Sequence, residues 1–251
     1  MKSISGLVVM GLLCGLCAGR TFAAAAPFVS AALSDPARGK DAEADARRHA
    51  ADLATYAQVK PGDTVVDLIP GTGYFTRIFS QIVGAHGHVY AVWPNEYAKE
   101  DAEDVTLTQA LAKDPHYANV TLLMQPAAQF TVPAQADVVW LSQNYHDYPD
   151  KFMGPTDPKL LNAAVFKALK PGGLYIIVDH VADAGSGLRD TDTLHRIDPQ
   201  IVKTQVMAAG FEFDGESDAL RNSADNHKLK VFDAAVRGHT DQFIYRFRKP
   251  R

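Results

Sequence analysis

The chain has 251 residues, 22% charged and 47% hydrophobic, with a formal net charge of −4. This composition excludes a collagen-like, coiled-coil or wholly disordered protein, and the length suits one domain with an N-terminal extension. The acidic balance provides no basic face for a nucleic acid, so no nucleic-acid partner is expected.

Lys2 is the only charge before Arg20, and the apolar run ISGLVVMGLLCGLCAG lies between them, followed by Ala23 to Ala26. The run is short for a membrane span, and the order of charge, apolar run and small residues is that of a secretory signal. Residues 1–25 are therefore expected to be a signal peptide cleaved after Ala25, giving a periplasmic or secreted protein without stable membrane association. Its removal leaves 226 residues and takes away Lys2, Arg20 and both cysteines, Cys14 and Cys17, so the net charge becomes −6. The mature chain then has no disulfide, thiol nucleophile or cysteine metal site.

Residues 26–49 read as an extension. A loose Ala-, Pro- and Ser-rich lead-in runs to residue 40, with Ser34-Asp35-Pro36 as a helix start. A helix is expected over Asp41 to Val59, with Asp35, Arg38, Asp41, Asp45, Arg47 and Arg48 as an exposed charged face or a lid over a substrate. Lys60-Pro61-Gly62-Asp63 breaks it. The domain proper, 50–251, then alternates. Strands are expected at 64–68, 88–93, 120–124, 136–142 and 174–179. Helices are expected at 74–83, 96–113, 159–169 (ended by Lys170-Pro171-Gly172-Gly173) and 197–210. Two late strands at 211–216 and 242–248 suggest an antiparallel pair at a sheet edge. Strands separated by helices, with continuous apolar runs, imply an α/β protein with a mostly parallel sheet covered on both faces.

The sharpest motif is Val65-Val66-Asp67-Leu68-Ile69-Pro70-Gly71-Thr72-Gly73-Tyr74-Phe75-Thr76, a strand, a glycine turn and a helix start. Glycines let a ligand approach the backbone, and the helix start offers free N–H groups; purely structural glycines at a strand-to-helix corner are the alternative. The dinucleotide fingerprint G-x-G-x-x-G fails because Thr76 holds its last position, and the lysine of a phosphate loop is absent. A second group, Ser142-Gln143-Asn144-Tyr145-His146-Asp147-Tyr148, follows the fourth strand, where ligands face doubly wound sheets. His146 suits a general base near neutral pH, with Asp147 to orient it and Asn144 to orient a substrate group; a polar loop with a capping aspartate is the bland reading. A third group, Asp179-His180, Asp190 and His195-Arg196, has the residue types for a divalent metal or for solvated loops, but no defined ligand spacing, and no metal is assigned.

The order K-P-G-D-T-V-V, D-x-x-x-G-x-G-Y-F-T-R, VGAHGHVYAVWP, ADVVWLSQNYHDYPD, LKPGGLYIIVDH, MAAGFEF and FIYRFRKP resembles the class I S-adenosylmethionine-dependent methyltransferases over about residues 50–249. More narrowly, S-D-P-x-R, N-Y-H-D, H-R-I-D and R-G-H-T-D-Q-F resemble a family of predicted bacterial, exported methyltransferases. The resemblance implies a seven-stranded Rossmann-like sheet of order 3-2-1-4-5-7-6, with strand 7 antiparallel and S-adenosylmethionine across the ends of strands 1 and 2. It implies Asp67, Pro70, Gly71, Gly73 and Tyr74 at the amino-acid end of the cofactor, although Tyr74 serves equally as helix-start packing. The chain departs from the family pattern at Ile69, where the first glycine of D-x-G-x-G-x-G stands, and at Trp93, where an acid holds the ribose. Trp93 can stack on adenine or simply pack in the core. Glu96 is a substitute acid, Gln125 stands near the adenine amino group, and Gln143 completes the set.

The expected function is methyl transfer to a small molecule, with Asn144, His146 and Asp147 as the catalytic residues. Export away from the cytosolic cofactor supply keeps two alternatives open. One is a non-catalytic binding protein for a nucleoside or similar ligand on the same fold, and the other is a metal-assisted hydrolase built on His146, Asp147 and His180.

Overall fold

The computed structural model describes residues 25–154 and 156–251, so the expected signal peptide lies outside the described residues except for Ala25. The elements in chain order are α1 (Pro27–Leu33), α2 (Asp45–Arg48), α3 (Ala50–Tyr56), β1 (Thr64–Leu68), α4 (Tyr74–Val83), β2 (His88–Pro94), α5 (Tyr97–Glu100), α6 (Ala102–Leu111), β3 (Val120–Gln125), β4 (Ala136–Ser142), α7 (Pro158–Ala168), β5 (Leu169–His180), α8 (Thr191–Leu194), α9 (Pro199–Ala208), β6 (Glu212–Ser217) and β7 (Gln242–Arg248), with 3₁₀ turns between some of them. No described helix is long and apolar enough to cross a membrane.

The strands form one sheet of order β3-β2-β1-β4-β5-β7-β6. β1 to β5 pair in parallel, and β7 runs antiparallel between β5 and β6. Successive side chains on a strand point to opposite faces, and both faces are apolar here. Val66, Leu68, Val92, Val139, Leu141, Tyr175 and Ile177 bury one face against α7 and α9. Val65, Val89, Ala91, Val138, Trp140, Ile176 and Val178 bury the other against α1, α3 and α4. The chain moves outward from β1 to β3 and returns to β4. The ends of β1 and β4 therefore form the switch point where open α/β sheets bind ligands.

The lead-in is not loose: Pro27–Leu33 is helical, and Val29 and Ala32 are buried in the second core. An alanine-rich segment gives no polar–apolar period from which to read that packing. The helix expected over 41–59 is broken at His49, which adopts φ 49° between α2 and α3. The helix expected over 96–113 is divided at Asp101 into α5 and α6. The K-P-G-G segment lies within β5, where the pairing with β4 slips between Ala136 and Val138 and Gly172 takes φ 79°. A bulge of this kind tolerates the proline's missing N–H.

Three charged contacts fasten the N-terminal segment: Asp41 to Arg77 of α4 at 3.0 Å, Asp35 to His116 at 2.8 Å and, most buried, Arg38 to Asp45. Arg38, 3% exposed, donates to the Leu33 carbonyl at 2.7 Å and to both carboxylate oxygens of Asp45. Asp45 in turn accepts from the Tyr74 hydroxyl at 2.6 Å, at the start of α4. The Arg48 guanidinium lies 4.5 Å from the Tyr74 ring centroid. Losing one partner of such a pair leaves the other uncompensated. Arg38→Ala should therefore lower unfolding stability by roughly 2–3 kcal/mol, read by urea denaturation. An unchanged midpoint would show that the Arg38–Asp45 pair does not contribute to holding the segment.

Candidate functional site

The glycine turn leaves β1 through three residues with positive φ: Ile69 (53°), Gly71 (56°) and Gly73 (88°). A β-branched residue rarely adopts this conformation, so the backbone has kept the glycine geometry where the family glycine is missing. A Cβ at Gly71 would meet only the Asp104 carboxylate at 3.6 Å, whereas one at Gly73 would strike Leu111 of α6 at 2.7 Å. The Gly71 side thus offers open backbone, and the Gly73 side is filled by the chain's own helix. Asp67 is buried beneath the turn and accepts from the Thr76 hydroxyl at 2.6 Å. Pro70 caps the turn, its carbonyl accepting from Gly73 N–H at 3.0 Å. The Tyr74 hydroxyl is directed to Asp45.

The residues assigned to the adenosine end lie at the ends of β2 and β3, but each is engaged. Trp93 is fully buried and donates through Nε1 to Thr108 Oγ1 at 3.3 Å. Tyr97 packs on it at 5.7 Å between ring centroids, and Phe152 packs edge-on against Tyr97 at 5.4 Å. Glu96 accepts from Ala127 N–H at 2.9 Å. Gln125 closes its own loop, donating to the Thr131 carbonyl at 2.9 Å and accepting from the Thr131 N–H. The sequence signalled Trp93 but not its cover, because Phe152 arrives from a loop far along the chain.

At the ends of β4 and β5 the second and third sequence groups merge. Asp179, fully buried, accepts from His146 Nδ1 at 2.8 Å, from the His146 backbone N–H at 2.9 Å and from the His180 N–H at 2.8 Å. His146 Nε2 faces Asp147 Oδ1 at 3.2 Å and His195 Nδ1 at 3.3 Å. Burial works to discharge this imidazole, but the Asp179 and Asp147 carboxylates outweigh it and push it up to about 9. Asn144 is spent on Asp147 Oδ2 at 3.0 Å and the Tyr97 hydroxyl at 3.2 Å. His180 pairs with the Thr240 hydroxyl at 2.7 Å, and burial pulls it down to about 4, so it is neutral. Arg196 is structural: fully buried, it is fixed to Asp225 at 2.9 Å and to the carbonyls of Val181 and Leu229. Asp190 lies apart, paired with Arg189. Gln143 and His195 adopt φ 65° and 53°. With Ile69 they place strained backbone after β1, after β4 and at the end of α8, around the site, as functional edges tend to.

A cavity of about 720 Å³ opens beside this cluster. Ser142, Gln143, His180 and Gln242 form part of its floor, and Phe75, Leu53 and Phe232 are its apolar lining. Arg47, Arg48 and His49 flank it from the N-terminal segment, and Arg221, Arg237 and His239 from the long β6–β7 connection. None of its lining residues is acidic. Arg221 is already paired with Asp241 at 2.8 Å. Arg47 and Arg48 stood out in the sequence as a charged face or lid, and Arg237 and His239 only within the R-G-H-T-D-Q-F motif; nothing in sequence brought the two together, some 170 or more positions apart.

No protein-family model matches the chain. It is 30% identical over 188 residues to a ubiquinone/menaquinone biosynthesis C-methyltransferase UbiE of Vibrio campbellii, an alignment covering 73% of this chain and 61% of that protein. It is 29% identical over 121 residues to a protein-L-isoaspartate O-methyltransferase of Ignicoccus hospitalis, covering 48% and 49%. The chain thus spans about three-fifths of the length of the first of these relatives. Among solved structures, a methyltransferase from Aquifex aeolicus superposes with a TM-score of 0.55 at 16% identity, covering 78% of this chain and 87% of that one. The fold is that of the class I methyltransferases. The glycopeptide N-methyltransferase MtfA, solved with S-adenosylmethionine, matches with a TM-score of 0.55 at 15% identity over 82% of this chain and 87% of its own. The [4+2]-cyclase SpnF matches with a TM-score of 0.60 at 18% identity over 82% and 81%. The class I fold therefore supports more than one chemistry, and the site must carry the functional argument.

Asp67 gives the site a measurable signature. Burial pushes its carboxyl up to about 7, despite the Thr76 hydrogen bond. Between about pH 4 and 7 the folded chain holds a proton that the unfolded chain has released, so this group's effect is to lower stability as pH rises through that window and to leave it level above. Asp67→Asn removes the group. From pH 5 to 8 the variant should gain on the wild type by on the order of 3 kcal/mol in urea unfolding. Parallel pH profiles would place a solvated carboxylate at this position.

Proposed function

We propose that the protein is an S-adenosylmethionine-dependent methyltransferase acting on an anionic small molecule. The observation that carries the reading is the open backbone at Gly71, set between β1 and α4 at the switch point of a class I sheet. Curated methyltransferases align with this chain over up to 73% of its length, which supports the cofactor.

The loop half of the seat fits S-adenosylmethionine as it stands. Gly71 leaves the backbone uncovered on one side, and the start of α4 presents N–H groups to the carboxylate of the cofactor's amino-acid end. The adenosine half fits once Tyr97 and Phe152, both only partly buried, turn away from Trp93 and leave its ring as a stacking face. The cofactor supplies an activated methyl group on a sulfonium. The chain's contribution is positioning, which carries much of the rate for such a donor. Gln143, held to Gln242 at 3.0 Å, lies in the cavity wall at the end of β4. The acid-free lining, with Arg47, Arg48 and Arg237, selects an acceptor bearing a carboxylate or phosphate, and Phe75 and Phe232 favour one with an apolar body.

Isothermal titration with S-adenosylmethionine tests the cofactor assignment. The wild type should bind one equivalent. Gly71→Ala, whose added methyl meets only the Asp104 carboxylate, should fold yet bind at least about tenfold more weakly, since its Cβ enters the ligand's approach and strains a left-handed backbone. Failure of the wild type to bind at about 1 mM would overturn the reading. Once an acceptor is found, Arg237→Ala should raise its KM about tenfold, the loss of one charge-assisted contact. An unchanged KM would move the acceptor out of this cavity.

A further inference from the structure

We propose that His146, Asp147 and His195 form a binding site for one divalent transition-metal ion of the zinc class. The site adjoins the proposed cofactor seat through the Asn144–Tyr97 hydrogen bond at 3.2 Å, but the inference does not depend on methyl transfer.

Three ligand atoms of the right kind converge. His146 Nε2 is 3.3 Å from His195 Nδ1 and 3.2 Å from Asp147 Oδ1, and His195 Nδ1 is 3.8 Å from the same oxygen. An ion bound tetrahedrally at about 2.0–2.1 Å holds its ligand atoms roughly 3.3–3.4 Å apart, so one ion fits among all three with little movement. Two imidazoles and a carboxylate are a set that zinc takes with its fourth position open.

Two of the three ligands carry the supporting contacts a metal site uses. Imidazole ligands are oriented by a hydrogen bond from their other nitrogen. His146 Nδ1 is held by buried Asp179 at 2.8 Å, which turns Nε2 toward the cluster. Asp147 has its Oδ2 fixed by Asn144 at 3.0 Å, which leaves Oδ1 facing the two histidines. His195 reaches the cluster only because it ends α8 in a left-handed conformation, φ 53°, with its ring against Phe232. These contacts spend Asn144, Asp179 and an unfavourable backbone on aiming three donors at one point. The side chains of His146 and Asp147 are 3% and 4% exposed and that of His195 is 22% exposed, so an ion has an entry route from the His195 side. Phe232 also lines the cavity, so the open coordination position would lie near bound substrate.

The test uses the full chain without a histidine tag, stripped with chelator and titrated with Zn²⁺ by calorimetry, with native mass spectrometry for stoichiometry. One ion per chain is expected, with micromolar affinity or better. Co²⁺ should give the visible absorption of a tetrahedral site. His195→Gln, at the partly exposed position, should weaken Zn²⁺ binding at least about a hundredfold while keeping the wild-type circular dichroism. Asp179→Asn, which acts through His146, should weaken it about 10–100-fold. If His195→Gln does not fold, Asp147→Asn serves as the ligand deletion with the same expectation. His86→Gln, at an exposed residue outside the cluster, should bind as the wild type does. No binding by the wild type at about 0.1 mM Zn²⁺, or unchanged affinity in a folded ligand-deletion variant, would overturn the proposal and leave a hydrogen-bonded histidine cluster.

Discussion

The carboxylate of Asp179 fixes the functional edge of this molecule. A fully buried acid must be paired, and this one is satisfied by the His146 ring, the His146 N–H and the His180 N–H. His146 and His180 hold it below the usual carboxylate range against the opposing pull of burial. Because it lies next to the end of β5 and binds the turn that follows β4, it ties two neighbouring strand ends together. The His146 ring, the Asn144–Asp147 contact and the approach of His195 all depend on that tie.

On the other side of the switch point the fold keeps a geometry that its sequence has partly abandoned. Ile69 occupies a glycine conformation at φ 53°, at a strain of about 1–3 kcal/mol that the surrounding core over-determines. Trp93, near the end of β2, packs against Tyr97, which in turn meets Phe152 edge-on. The turn leaves open backbone at Gly71, while the end of β2 carries an aromatic stack. A flat ring can enter that stack only by replacing the chain's own contacts, so binding and side-chain movement are coupled.

Much of the architecture was legible because period and punctuation carry it. The apolar runs at 64–68 and 136–142 coincide with β1 and β4, and the glycine turn and α4 lie where Gly71, Gly73 and Gly84 require. The strand order implied by the resemblance to the class I methyltransferases is the observed one. What was not legible depended on distant partners. Nothing near Pro27 shows that α1 packs on the sheet, since alanine is neutral to burial. Nothing in K-P-G-G distinguishes a helix stop from a bulge opposite β4. His195 was grouped with Asp190 by proximity in sequence, but the fold turns it toward His146. The cavity's arginines come from Arg47, Arg48 and the β6–β7 connection, and only the closed fold brings them together.

If Trp93 is the inner wall of the adenosine seat beside Gly71, the protein's two tryptophans make that directly observable. Trp140 packs among Phe75 and Phe79 with its Nε1 unbonded, so Trp140→Phe removes no hydrogen bond and leaves Trp93 as the only indole. Titration of that variant with S-adenosylmethionine should change the Trp93 emission saturably as Tyr97 and Phe152 give way to the adenine. Calorimetric binding with an unaltered Trp93 spectrum would put the ligand elsewhere and contradict the account.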